Sequence, residues 1–237
     1  GWTWTNSYTP RNSCSTGNNE MTALTSLYSI SYNCTANVYR NNTYFQSIFN
    51  LFNNADYETS SYHDYADHYY YRNTIHINMG SSKYYNAYKL GIKVNAVYEE
   101  WPSDVDLFEN SFKYYSGNDK FMAFMATVTT HRPYTVYSEY GNKHLNLFKD
   151  LKISTAGKRY LSKVKELDMG FGTLLAKLEA SGELDDTVIV IFGDHYPYGL
   201  SNTQLQQFFN YDVINNQYER DRTPFVIYNS QMVPAKY

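Results

Sequence analysis

Apolar residues along the chain fall into two spacings, and each predicts one kind of element. Unbroken apolar runs occur at Phe121-Met-Ala-Phe-Met-Ala-Thr-Val-Thr129 and at Thr187-Val-Ile-Val-Ile-Phe192. Lacking polar alternation, they suit strands buried on both faces, as parallel sheets covered by helices require. Helical spacing links Met21, Leu24 and Leu27, then Phe45, Ile48, Phe49 and Phe52 within residues 42–53. The clearest helix covers 156–181, where Tyr160, Val164, Leu167, Phe171, Leu174 and Leu178 form a stripe closed by Gly182. Ser103 or Asp104 caps a further helix toward Phe112. Residues 59–63 read as a short strand, the first eight residues as another, and Thr223-Pro-Phe-Val-Ile-Tyr228 as an edge strand with Pro near its start. The long helix feeding the strand at Thr187 is half of a βαβ unit. The pattern predicts an α/β chain, a central mostly parallel sheet flanked by helices.

Both apolar runs stop at polar clusters, Thr130-His131-Arg132-Pro133-Tyr134 and Gly193-Asp194-His195-Tyr196. Ligands of open α/β sheets sit beyond the carboxyl ends of neighbouring strands, so the two runs are expected to deliver His131 and His195 to one sheet edge. A carboxylate and an imidazole on one loop make a suitable ligand pair for Zn, Mn or a similar ion; the plainer reading is a solvated loop whose Asp caps a helix. Near the start, Cys14-Ser-Thr-Gly opens the first helix and sets Ser15 or Thr16 at its N-terminus. Backbone N–H groups and the dipole favour an anion such as phosphate there, although an ordinary N-cap is the commoner use of such residues. The ring-dense segment 64–73 holds a single Arg, Arg72, whose fork could grip a phosphate, while His68 and His76 read as surface or packing residues.

Composition narrows the class. A length of 237 residues suits one large α/β domain, and a net charge of -3 with scattered Lys and Arg leaves no basic face for nucleic acid. No apolar stretch reaches the ~20 residues of a membrane span, and no signal-peptide pattern opens the chain. The 27 Tyr and 13 Phe supply packing area with a polar tip, and half-buried packing is the expected use. The two cysteines, Cys14 and Cys34, form a candidate disulfide in an exported chain and separate thiols in a cytosolic one.

Taken in order, Cys14-Ser-Thr16-Gly-Asn-Asn-Glu20, His63 with Arg72, Thr129-Thr-His131-Arg-Pro-Tyr134 and Gly193-Asp-His-Tyr-Pro-Tyr-Gly199 resemble the motifs of lipoteichoic acid synthases. These are sulfatase-fold phosphoglycerol transferases of the alkaline phosphatase superfamily, and the likeness spans nearly the whole chain. It implies that Thr16 is a nucleophile, and that Thr16, Asp194 and His195 ligate one divalent metal, Mn before Mg or Zn. His63, Arg72 and His131 would hold the phosphoglycerol group. The implied donor is a phosphatidylglycerol-type lipid and the acceptor a polyol or glycan. The family's remaining ligand, a Glu ending the first sheet strand, has no counterpart in this sequence, and Glu20 is not assigned as its substitute. Residues 1–237 are therefore expected to form a single extracytoplasmic catalytic domain of a bacterial membrane protein. Its membrane helices, first strand and ligand Glu would precede Gly1, and its last helix is a further candidate for absence. Facing the oxidising outside, Cys14 and Cys34 would bridge. A sulfatase needs Cys-x-Pro-x-Arg, whereas Cys14 is followed by Ser-Thr-Gly-Asn; a two-zinc phosphatase needs more ligands, yet no His follows His195. The alternatives are a phosphodiesterase or phosphoethanolamine transferase of the same superfamily, or a non-catalytic glycan-binding module.

Overall fold

In the computed structural model, which describes residues 1–10, 13–30, 33–95 and 100–237, the strands are β1 (Trp2–Trp4), β2 (Glu58–His63), β3 (Lys83–Tyr85), β4 (Phe121–Ala126), β5 (Ile189–Phe192), β6 (Phe225–Tyr228) and β7 (Ala235–Lys236). The helices are α1 (Ser15–Thr25), α2 (Thr35–Val38), α3 (Ile48–Asn53), α4 (Arg72–Asn78), α5 (Ala87–Leu90), α6 (Asp104–Ser111), α7 (Glu139–Lys143), α8 (Thr155–Ser181), α9 (Asn202–Gln206) and α10 (Gln217–Arg220). None among the described residues is long and apolar enough to cross a membrane.

β4 behaves as its unbroken apolar run predicts. Phe121, Ala123 and Met125 pack on one core, with Tyr62, Leu107, Phe108, Leu174 and Leu178 from β2, α6 and α8. Met122 and Phe124 pack on a second core, with Met21, Leu24, Phe49, Ile75 and Met79 from α1, α3 and α4. Period-two alternation thus sends β4 side chains into helical layers on both faces of the sheet. β2 lies between β3 and β4, parallel to each, with His63 opposite Ala126. The expected use of Tyr is visible at Tyr62, fully buried, stacked 5.1 Å from Tyr85 and sharing a hydroxyl contact of 2.9 Å with Ser60 Oγ.

β5 departs from expectation. It belongs to a second sheet, ordered β5-β6-β1-β7, and pairs antiparallel with β6. One of its faces is open: Val190 is 50% exposed and Phe192 38% exposed. An apolar run therefore marked a strand without showing that both faces were covered, because run length reports burial potential and not the neighbours that supply it. The second sheet also corrects the reading of residues 223–228, since β6 is flanked by β5 and β1 and is not an edge; Pro224 lies just before the paired residues. The helix read over 42–53 shortens to α3, leaving Phe45 76% exposed. α8 runs the full predicted length, capped by Ser154 and ended by Gly182 with a left-handed φ of 77°.

Candidate functional site

α1 begins with an unusual cap. Its cap position is Cys14, left-handed at φ 56°, whose side chain makes no capping hydrogen bond, and no acidic residue stands in the first turn. By contrast Ser and Asn side chains cap α3, α5, α6 and α7. Thr16 is thus not the cap: it sits in the first turn of α1, at the positive end of the helix dipole. A disulfide joins Cys14 to Cys34, which precedes α2.

The Thr16 hydroxyl lies 3.0 Å from His195 Nε2, and that nitrogen lies 3.2 Å from Asp194 Oδ2. The other ring nitrogen of His195, Nδ1, faces the Tyr196 carbonyl at 2.8 Å. A carbonyl only accepts, so Nδ1 donates there, and Nε2 is the nitrogen turned toward Thr16 and Asp194. Asn19, one turn beyond Thr16, donates from Nδ2 to the Asp194 carbonyl and pins the loop after β5 onto α1.

These three polar atoms suit a divalent ion. An ion ~2.1 Å from each ligand in a tetrahedral array sets neighbouring ligands ~3.4 Å apart, close to the spacing found, and the Nδ1–carbonyl bond is the usual orienting contact of a metal-bound imidazole. Among the described residues no three His, Cys, Asp or Glu side chains gather into such a group, so the Thr16 oxygen counts as the third donor.

One turn farther along α1, Glu20 reaches a second set of groups. Arg72 Nε donates to both Glu20 oxygens at 3.0 Å, Arg72 Nη2 lies 3.0 Å from Oε2, and His76 Nε2 lies 2.7 Å from Oε1. Burial alone would raise the Glu20 pKa, but the Arg72 charge and the His76 hydrogen bond outweigh it and hold the carboxyl far below its usual range. The fork expected on a phosphate is therefore engaged by Glu20, leaving Arg72 Nη1 buried without a hydrogen-bond partner among the described residues. Tyr70 lies over the Arg72 guanidinium at 5.3 Å, and a Cβ on Gly17 would come within 2.8 Å of its ring, so only glycine admits it there. His63, at the end of β2, donates from Nδ1 to the Ala126 carbonyl at 2.7 Å; its Nε2, like Asn19 Oδ1, is buried and unpartnered among the described residues. Burial and then the Arg72 charge push the His63 pKa well below normal, which keeps the ring neutral.

His131 reaches the site by a different route than expected. β4 and β5 lie in different sheets, so their strand ends are not ladder neighbours; the loops after them meet instead. A Cβ on Gly199 would come within 2.6 Å of Arg132 Cβ and 2.8 Å of the Tyr134 ring, a close approach that only glycine permits. Tyr198 packs 4.6 Å from His195, with Arg132 5.6 Å over its ring. His131 itself donates from Nδ1 to the Arg132 carbonyl at 2.8 Å, packs 4.4 Å from Trp101, and has its pKa lowered first by burial. Lys163 of α8, 1% exposed, donates to the His131 carbonyl at 2.8 Å, and burial pushes its pKa down to about 8. Asp104 at the start of α6 accepts from the Val128 and Thr129 N–H groups at 2.8 and 3.3 Å and fixes the same loop from its other side.

Thr16, Asp194 and His195 are thus brought together, with His63 and Arg72 joined to them through α1 and His131 through the loop contacts. Sequence reasoning missed Asn19, Glu20, His76, Tyr70 and Lys163 as site-building residues. Asn19 and Glu20 stand three and four positions after Thr16, a spacing that shares a helix face and could have flagged them; Lys163 carried no local signal.

The sequence model of the sulfatase family matches residues 1–237. A lipoteichoic acid synthase of Staphylococcus saprophyticus is 24% identical over 215 residues, covering 89% of this chain and 32% of that protein, so the chain spans about a third of that relative's length. Among solved structures, the lipoteichoic acid synthase LtaP from Listeria monocytogenes aligns over 99% of this chain and 58% of its own, with a TM-score of 0.80 and 23% identity. The Streptococcus pyogenes phosphoglycerol transferase GacH, solved in complex with sn-glycerol-1-phosphate, aligns over 97% of this chain and 60% of its own, with a TM-score of 0.61 and 17% identity. With its helix-covered parallel sheet and a match along its whole length, the chain belongs to the sulfatase family.

Proposed function

We propose that this domain transfers glycerol phosphate from a phosphatidylglycerol-type lipid to a polyol or glycan acceptor, in two displacements at Thr16. The observation that carries the reading is the Thr16 hydroxyl, placed in the first turn of a helix 3.0 Å from His195 Nε2, which itself lies 3.2 Å from Asp194. The names of the similar proteins, lipoteichoic acid synthase and phosphoglycerol transferase, support the substrate class. Thr16, Asp194 and His195 would hold one divalent metal, Mn before Mg or Zn, with a carboxylate from outside this chain completing the set. That ion, when bound, supplies the positive charge that lowers the pKa of the hydroxyl.

The chain's own residues account for the rest. Thr16 Oγ1 forms a bond to phosphorus as the bond from phosphorus to the diacylglycerol oxygen breaks, and the proton lost by Thr16 ends on the diacylglycerol hydroxyl. First-turn N–H groups of α1 stabilise the phospho-threonine anion. Arg72 Nη1, His63 Nε2 and Asn19 Oδ1, all buried and unpartnered among the described residues, would take the oxygens and hydroxyls of the phosphoglycerol group. His131 would stand on the opposite side, held by Lys163 and Trp101. An acceptor hydroxyl then displaces Thr16 and returns its proton; water in that role makes the enzyme a phosphodiesterase. In this reading the domain works on the extracytoplasmic face of a bacterial membrane, anchored by helices outside this chain.

The test uses headgroup-labelled phosphatidylglycerol with Mn and the full-length protein. Wild type is expected to carry transient label on the peptide containing Thr16; Thr16→Ala should carry none and turn over nothing, while Ser15→Ala should retain activity. Substantial turnover by Thr16→Ala would sink the mechanism.

A further inference from the structure

The stretch between Glu20 and Asp56 contains a single charged residue, Arg40, and no carboxylate. At the chain average of 18% charged residues, a stretch this long would hold about six. Some of its apolar side chains enter the core beside β4, but others are outside. Leu27 is 52% exposed, Tyr28 80%, Ile30 62%, Val38 57% and Phe45 76%. They sit on neighbouring pieces: Ile30 exchanges hydrogen bonds with Thr35 Oγ1 at 2.9 and 3.0 Å, Thr35 opens α2, and Val38 closes it. Arg40 follows, its guanidinium 4.4 Å over the ring of Tyr71, itself 43% exposed.

The face adjoins the site at two points. The disulfide ties Cys34, just before α2, to Cys14, two residues before Thr16. Tyr71 immediately precedes Arg72. Exposed aliphatic tips, phenol rings and one Arg with no ion pair among the described residues match the boundary between lipid headgroups and acyl chains, where aromatics settle and anionic headgroups attract cations. The missing carboxylates decide the occupant: an ordinary solvated face carries both signs, and a protein-facing rim would too.

Resting on the lipid-donor reading above, we propose that this face seats the domain on a phospholipid surface containing anionic headgroups, bringing the Thr16 helix to a donor that stays in its leaflet. The probe is the 237-residue chain with vesicles of phosphatidylcholine alone, or of equal parts phosphatidylcholine and phosphatidylglycerol, read by co-sedimentation without metal. Wild type is expected to bind the mixed vesicles. Tyr28→Asp combined with Ile30→Asp should weaken partitioning about tenfold or more, since two exposed apolar anchors are lost. Arg40→Glu should weaken binding to the mixed vesicles and leave phosphatidylcholine binding less affected. Tyr218→Asp, at an 83% exposed ring on α10, should bind as wild type does. Unaltered circular dichroism and an intact disulfide establish that the variants fold. Failure of wild type to bind, equal binding by the double variant, or a concentration-dependent dimer that the double variant abolishes would each overturn the proposal. The measurement involves no turnover, so a failed transfer assay leaves it standing, and failed vesicle binding leaves the chemistry at Thr16 standing.

Discussion

A carboxylate buried as deeply as Glu20 persists only because Arg72 and His76 both bond to it; removing one partner of such a pair typically costs about 3–5 kcal/mol. That arrangement also divides the work within Arg72. Its Nε and Nη2 fix the side chain against α1, and Nη1 stays without a hydrogen-bond partner among the described residues, the atom proposed above for a substrate oxygen. Lysine keeps the charge but cannot grip two carboxylate oxygens and present a further N–H in a fixed plane. Arg72→Lys is therefore expected to lower transfer at least tenfold, about 1.4 kcal/mol of transition-state stabilisation, together with a lower melting temperature. Wild-type turnover by Arg72→Lys, in protein whose fold is verified, would show that Nη1 makes no contact that matters to the phosphate.

At the level of elements, α1 is the joint of the site, since it carries Thr16 toward His195 on one turn and Glu20 toward Arg72 on the next. What holds its N-terminus is the disulfide to Cys34 and the side chain of Asn18, which donates to the Ser13 and Asn33 carbonyls at 2.6 and 3.1 Å and accepts from Ala36 N at 3.2 Å. The bridge spans a sequence separation of 20, and closing a loop of that size is worth about 3 kcal/mol in the chain-entropy account. Replacing Cys14 and Cys34 together by Ser should lower stability by about that amount in urea unfolding, with reduced transfer because the first turn of α1 loosens. A stability change within error would show that the Asn18 contacts suffice.

Across the whole molecule, two linked equilibria give opposite handles on stability. Glu20 has a folded-state pKa below its unfolded value of about 4.3, so its contribution is fully present above that pH and is lost as pH falls through the folded value. The melting temperature is expected to drop steeply below about pH 4, and Glu20→Gln, less stable at neutral pH, should show a shallower acid slope; equal slopes would remove Glu20 as the cause. A divalent ion at the proposed site would act the other way: bound only by the folded chain, it would stabilise by about 2.7 kcal/mol when its concentration exceeds Kd a hundredfold. Mn should therefore raise the melting temperature of wild type, and Asp194→Asn should abolish the rise. An equal rise in both proteins would place the ion elsewhere.

The local code of this chain carries a good deal of the result. Periodicity and a closing glycine mark α8 over 156–181, β4 as a strand packed on both faces, and the two strand-to-loop junctions where His131 and His195 stand, because these features depend on which side chains must leave water and on the few residues that stop a helix. The order of polar clusters carried the family likeness for the same reason: the matching residues stand at strand ends, in first helical turns and on the loops after β4 and β5, where residue type is set locally. Other features depended on the tertiary structure. An apolar run cannot say which strand lies beside it, so β5 and β6 were misread in their sheet and their edges. Nor can it say how His131 reaches His195, which rests on a loop contact at Gly199. The partner that claims the fork of Arg72 stands 52 residues away at Glu20, and the lysine that holds His131 lies 32 residues away at Lys163. Charge pairs and buried hydrogen bonds are settled by packing between elements distant in sequence, and no local spacing records them.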